Sequence, residues 1–388
     1  MRGLIGFLSD ARAQFHYRAA NLFLRLRRYE AAANSYERVF RIRPDDPHAQ
    51  FQRAWCLLEV PDRRVDGIIG FQKLLKQSPS AGGYYLLACG LQEESRHEEA
   101  VEAFREAVRL EGSGTGDFFH NYAVSLEALR RFEEAEDAYR NAAHINPSDG
   151  AAWGSLGAML AELGRWKDAA PCQERAMRLA PSLAHGLNLG WTLYELNRLD
   201  EAERVLRDAL ARDARSADAK ELLALVLAGQ NRYAEAVQIA RETCVSNQDA
   251  VSSRVVLASV LSEAGCVDEA LSVAKAAADT APQDARVHGA VGGVYVKMKD
   301  GAAALATFER MAECLDPEDD RRPSSLGVSC TAGRGVALSL LGRHDEAIAA
   351  FEEVLRTDRE LLERWPELAP HYQLSSREAG RNTKAGDS

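Results

Sequence analysis

Residues 153–181, WGSLGAMLAELGRWKDAAPCQERAMRLAP, decide the fold. Trp153, Leu156, Gly157 and Leu160 recur at three- and four-residue steps, the spacing of one helix face. Gly164-Arg165-Trp166 makes a corner, and Ala169, Ala176 and Leu179 carry a second helix as far as Pro181. Proline cannot continue a helix interior, so the second helix ends there. The stretch reads as a short hairpin of two amphipathic helices.

The hairpin recurs along the chain. Small residues that follow a Gly- or Arg-rich corner stand at Ala32, Gly67, Ala100, Ala135, Ala169, Ala202, Ala236, Ala270, Ala304 and Ala347. Their gaps are 35, 33, 35, 34, 33, 34, 34, 34 and 43. Pro44, Pro79, Pro147, Pro181, Pro282 and Pro317 keep the same period to within a residue. A fixed period of this length with helical patterning inside it predicts an array of hairpins, roughly 70–80% helix and without sheet.

These residues resemble the tetratricopeptide repeat (TPR) family, with its W-x2-L-G-x2-Y, A-x3-F and P signature. The second-helix part returns as Ala32-x3-Tyr36, Gly67-x3-Phe71, Ala100-x3-Phe104, Ala135-x3-Tyr139, Ala304-x3-Phe308 and Ala347-x3-Phe351. About ten copies cover residues 13–360 of the 388. The resemblance implies an all-α fold, a right-handed α-solenoid superhelix of about ten TPR hairpins. It also implies close helix crossings that need small residues at Ala20, Ala88, Ala123, Gly157, Gly190, Ala224, Ala258, Gly292 and Gly335. Trp55 falls at that position in the second copy, and Arg334 falls where the tenth expects a core Leu.

Outside the repeats, Leu4, Ile5, Phe7, Leu8, Ala11 and Phe15 form one stripe if the segment is helical. Residues 1–12 are therefore expected to hold an amphipathic helix that caps the first repeat or docks to a membrane or a partner. Repeats one to nine occupy 13–316, a polar insertion 317–327, repeat ten 328–360, a C-terminal cap 361–374 and a disordered tail 375–388.

The chain carries 48 Lys+Arg against 58 Asp+Glu, a net charge of −10, which disfavours a general nucleic-acid binder. Residues 1–80 run the other way, with 14 basic and 8 acidic side chains. No apolar run approaches the ~20 residues that span a bilayer. Seven cysteines show no C-x-x-C and fit single buried thiols in a reducing, cytoplasmic compartment. Gly112-Ser-Gly-Thr-Gly116 lacks the Gly-Lys-Ser/Thr ending of a phosphate loop and reads as a turn. No H-E-x-x-H or G-x-S-x-G occurs, and the repeats leave no room for a catalytic domain. The chain is not expected to be an enzyme, and no metal or cofactor is implied.

In the family the first helices line a concave groove, and certain repeat positions point into it. Carried over, these positions give Tyr17, Arg18, Asn21 and Arg25 in copy one, then Asp117, His120, Asn121, Glu127, Ser155 and Glu162 in copies four and five. Copies six and seven give Asn188, Trp191, Tyr194, Glu195, Asp218 and Glu221. Chaperone-binding members hold a terminal carboxylate with Lys and Asn over three copies. Here Tyr17, Asn21, Arg53, Gly82 and Leu86 occupy those sites, so that role is not implied. Asn121, Ser155 and Asn188 resemble a short piece of an asparagine ladder, whose amides donate and accept together along a peptide backbone. Acids outnumber bases at the inward positions, which favours a partner segment with positive charge. The expected function is a scaffold or adaptor that binds extended or helical segments of other proteins. The alternative is a regulatory or substrate-recognition subunit of an enzyme supplied in trans.

Overall fold

The computed structural model describes residues 2–111, 114–247, 250–315, 325–357 and 368–386. The chain is about 83% helical, with twenty-one α-helices and no strand among the described residues. It divides into two compact units, Met1–Ser148 and Asp149–Ser388.

The first unit holds four hairpins. They are α1 (Arg2–Arg25) with α2 (Tyr29–Ile42), α3 (Pro47–Leu58) with α4 (Arg64–Gln77), α5 (Ala81–Glu93) with α6 (His97–Glu111), and α7 (Gly116–Ala128) with α8 (Phe132–Ile145). The second unit opens with α9 (Gly150–Glu162) and α10 (Trp166–Leu179), α11 (Leu183–Glu195) and α12 (Leu199–Arg212), and α13 (Ala217–Gly229) and α14 (Tyr233–Ser246). It continues with α15 (Val251–Glu263) and α16 (Val267–Thr280), α17 (Ala285–Lys297) and α18 (Gly301–Glu313), α19 (Ser325–Leu340) and α20 (His344–Thr357), and ends with α21 (Ala369–Gly386). Within each unit, helix pairs pack on their partners and on the next pair, as in an α-solenoid.

The two helices of a hairpin start by different chemistry. Seven first helices start on side-chain caps: Asp46, Ser80, Thr115, Asp149, Ser182, Ser216 and Asp284 each accept a backbone N–H of the first turn, whereas Ala250 before α15 offers none. Second helices follow a left-handed corner residue, such as Arg130, Gly164, Asn197 or Asn231. The next residue is usually an arginine that offers no cap and pairs instead with an acid three positions on. Arg131–Glu134 (2.5 Å), Arg165–Asp168 (2.6 Å), Arg198–Glu201 (2.7 Å) and Arg232–Glu235 (2.5 Å) repeat that clamp. The acid also suits the positive end of the helix dipole. Cys266 replaces the arginine before α16, and before α18 Asp300 caps through the Ala303 N–H.

The repeat aromatics fill the core. Tyr36, Phe71, Phe104, Tyr139 and Phe351 are all at most 1% exposed. Small residues sit where the helices cross: a Cβ on Gly157 would lie 2.5 Å from Gln173 Cγ and 3.3 Å from the Ala169 carbonyl oxygen.

Trp55, expected at the small-residue site of the second hairpin, stands beside it, and Ala54 fills the site. Ala54 and Gly67 are 13 residues apart, whereas Gly157 and Ala169 are 12 apart. The extra residue lies in the corner, around a short 3-10 turn at Pro61–Arg63. A Cβ on Gly67 would be 2.8 Å from the Ala54 oxygen and 2.8 Å from the Leu58 nitrogen, so this crossing needs glycine. Trp55 is half-buried, edge-on to Tyr29 at 6.1 Å. Arg334 is also half-buried, and its Nε has no hydrogen-bond partner.

Residues 317–324 of the polar insertion, 358–360 of repeat ten and 361–367 of the cap lie outside the described residues, and Ser325–Gly327 already belong to α19. α21 packs on α19 and α20, with Tyr372 edge-on to Phe351 at 5.8 Å. The helix continues through 375–386, where a disordered tail was expected, and Ser375 is buried. At the other end, the segment 3–12 is the first part of one helix, α1, that runs on to Arg25.

Between α15, α16 and α17 the buried core is built from small side chains. Helix α16 reads VDEALSVAKAAADT, and Ala258, Ala274 and Val291 form a small buried cluster there. An open cleft of about 360 Å³, lined by Lys275, Asp279, His288, Tyr295 and Arg310, runs beside it.

Candidate functional site

First helices carry every candidate residue, and the structure treats them differently in the two units. In Met1–Ser148 most are engaged within the chain. Tyr17 donates to Asp46 Oδ2 at 2.5 Å, and burial together with that bond pushes its phenol well above the usual range. Asn21 Oδ1 accepts from the Tyr36 hydroxyl at 2.8 Å. Asn121 Nδ2 donates to the Tyr85 hydroxyl at 3.1 Å, and Glu127 accepts from the Tyr139 hydroxyl at 2.6 Å. His120 lies edge-on to Tyr139 at 5.6 Å, with a buried Nδ1 that has no partner. Asp117 is exposed.

In Asp149–Ser388 the same positions form a mixed face. Asn188 is exposed and makes no hydrogen bond to a described residue. Trp191 is 40% exposed, with its ring centroid 5.8 Å from that of Tyr194 and tilted by 42°. Tyr194 is half-buried against the core of α11–α16, so it gives the indole a fixed neighbour. Ser155 on α9 and Glu195 on α11 are half-buried.

Two carboxylates follow on α13. Asp218 is exposed and has no ion pair among the described residues. Glu221, one turn on, is only 8% exposed. It accepts from the Ser253 hydroxyl at 2.5 Å and from Ser252 at 3.4 Å, so its nearest donors are neutral. Burial raises its pKa and the Asp218 charge adds to this, while Ser253 and Arg286 oppose. Arg286 itself is held by Asp284 at 2.6 Å. Ser252 and Ser253 were missed from the sequence, although Ser252 occupies a marked repeat position, because a neutral serine gives no charge signal. Glu263, the last residue of α15, pairs with Lys297 at 2.9 Å.

Reactive chemistry is sparse. All seven cysteines are free thiols. Only Cys56 and Cys330 are buried, and Cys266 is exposed, so the expected set of buried thiols is only partly present. Burial pushes the Cys56 thiol up to about 12. Among the described residues no group of three or more His, Cys, Asp or Glu is placed to hold a metal, and no helix is long and apolar enough to cross a membrane.

Tandem capped hairpins, small residues at each crossing and a variable first-helix face define a TPR repeat protein. TPR family models match residues 17–61, 85–149, 121–184 and 187–250, and a second one matches 332–361, so the chain belongs to the tetratricopeptide repeat family. No curated protein matches its sequence. A tetratricopeptide repeat protein from Parabacteroides merdae shares the fold at 16% identity, with a TM-score of 0.52 over 67% of this chain and 98% of that one. Yeast Tom70 aligns at 14% identity over 96% of this chain and 90% of its own, TM-score 0.46. MamA from Desulfovibrio magneticus aligns at 19% identity over 43% and 94%, TM-score 0.41.

Proposed function

We propose that the first-helix face of the unit Asp149–Ser388 binds an extended or helical segment of a partner protein, so that the chain acts as a cytoplasmic adaptor in a complex. Trp191 carries the reading. A large ring held against Tyr194 and 40% exposed is a rigid apolar anchor waiting for cover. Asn188, one helical turn before it, offers an amide that can donate and accept along a peptide backbone. Asp218, without an ion pair among the described residues, favours a segment that carries a lysine or arginine. A preformed face of this kind binds through shape and a few anchors, with little reorganisation. Nothing in this mechanism calls for catalysis or a cofactor, and seven free cysteines fit a reducing compartment.

The test has two stages. A pull-down with mass spectrometry identifies the partner, and peptides from it locate the bound segment. Trp191→Ala is then expected to weaken binding at least about tenfold, while Glu353→Ala, on the outer helix α20, changes it little. Thermal melting of Trp191→Ala should match the parent protein. Normal binding by Trp191→Ala, or a loss explained by unfolding, would place the partner elsewhere.

A further inference from the structure

Helix α1 opens the first unit, and its outer flank is apolar and exposed. Phe15, Leu22 and Leu26 are 67%, 55% and 59% exposed. Phe15 and Leu22 lie on α1 and Leu26 in the turn that ends it, still bonded to the Leu22 carbonyl oxygen, so their spacing of seven and four residues puts them on one line about 16 Å long. Among the described residues only α4, with Val65 and Ile69, also shows two large exposed apolar side chains.

The line has charged margins. On the helical wheel Arg12 falls on one side of it, and Arg18 and Arg25 fall on the other. None of the three has an ion pair among the described residues, and neither does Arg27 at the corner. This differs from three arginines further along the chain. Arg41 and Arg53 both pair with Glu37, and Arg43 pairs with Asp10. Residues 1–80 carry a net positive charge in an otherwise acidic chain, and four of those charges stand unneutralised along α1 and its corner.

Charge decides what covers the line. A second α1 would set arginines against arginines. A partner helix would seek a groove between two helices, but the neighbouring surface of α2 presents Asn34, Arg38 and Arg41, all polar and exposed. An apolar ridge with arginine on both margins matches a plane of negative charge over hydrocarbon. There the rings and leucines enter the interface while the long guanidinium side chains reach back to the head groups. We propose that α1 lays the Phe15–Leu22–Leu26 line onto an anionic lipid bilayer, a surface separate from the partner-binding face of the other unit.

Flotation of the full-length chain with vesicles tests this. Vesicles of phosphatidylcholine with about one-third phosphatidylglycerol should carry the protein at low salt, pure phosphatidylcholine at least about tenfold less, and high salt should release much of it. The triple variant Phe15→Ser, Leu22→Ser, Leu26→Ser should lose at least about tenfold in vesicle affinity with unchanged melting, because all three side chains already face water. Arg18→Gln with Arg25→Gln, which leaves the apolar line intact, should bind more weakly and with a shallower salt dependence. The proposal is overturned if the parent protein fails to float with anionic vesicles at low salt, or if the triple variant floats equally well. It is also overturned if the parent forms a dimer that the triple variant abolishes, since the line then belongs to a second copy.

Discussion

Helices α7 and α11 occupy equivalent places in their repeats, one in each unit, yet their polar side chains have different fates. On α7, Asn121 and Glu127 are taken by the hydroxyls of Tyr85 and Tyr139. On α11, Asn188 is exposed and Trp191 stands in water. The cause lies in the neighbouring helices. The aromatic position of the second helix reads Tyr36, Phe71, Phe104 and Tyr139 in the first four copies, but Gln173, Leu206, Ala240 and Ala274 in the next four. Copies without a ring there have no second-helix phenol like the Tyr139 that holds Glu127, and Gly154 on α9 stands where α5 offers Tyr85 to Asn121. The same groove position is therefore structural in one unit and available in the other.

The difference can be broken by mutation, starting with the largest effect. Tyr139→Ala removes a ring that is 1% exposed and leaves the Glu127 carboxylate without its phenol, so it should cost about 3–5 kcal/mol in urea denaturation. A loss below about 1 kcal/mol would show that this ring is not core. Trp191→Ala, the matching deletion on the exposed side, should leave stability within about 1 kcal/mol while removing most partner affinity.

Smaller changes sharpen the contrast between the two amides. Tyr85→Phe deprives Asn121 of its acceptor and should cost about 1 kcal/mol, whereas Asn188→Ala should stay within about 0.5 kcal/mol. Equal costs for the two would mean that the two positions are equally structural. The smallest expected effect depends on pH. Burial raises the Glu221 pKa, so the charged form weakens the folded state above that raised value and the penalty fades as the pH falls through it. Glu221→Gln should therefore melt about 1–2 °C higher than the parent protein near neutral pH, with the gap closing in mild acid. A variant that melts lower at neutral pH would show that the Ser253 bond outweighs burial.

Periodicity made the helices, the hairpins and the buried aromatics legible, because each depends on local spacing. The Ala54 register was harder to see. Every corner looks alike in a one-dimensional alignment, and only the crossing at Gly67 reveals the extra residue. Nor can sequence show that Tyr17 turns to Asp46, or Asn121 to Tyr85, since those partners lie 29 and 36 residues away. The exposure of Leu22 and Leu26 was hidden by their place inside a recognisable repeat, where a preceding helix normally supplies cover.

The cleft beside α16 has a consequence for how the second unit comes apart. A stack held by nearest neighbours is as strong as its weakest join. Along the second helices, ion pairs tie successive copies together: Arg198 to Glu174, Arg232 to Glu203, and Arg241 to Glu269 on α16. Past α16 the tie is of another kind, with Lys275 over the Tyr295 ring at 5.5 Å, and Ala278 and Ala306 line the cleft beside them. On the far side Phe308 and Phe351 anchor α17–α21 as one dense block. Under heat or pulling force the α17–α21 block should therefore move as one piece, with the cleft as the line along which it closes again.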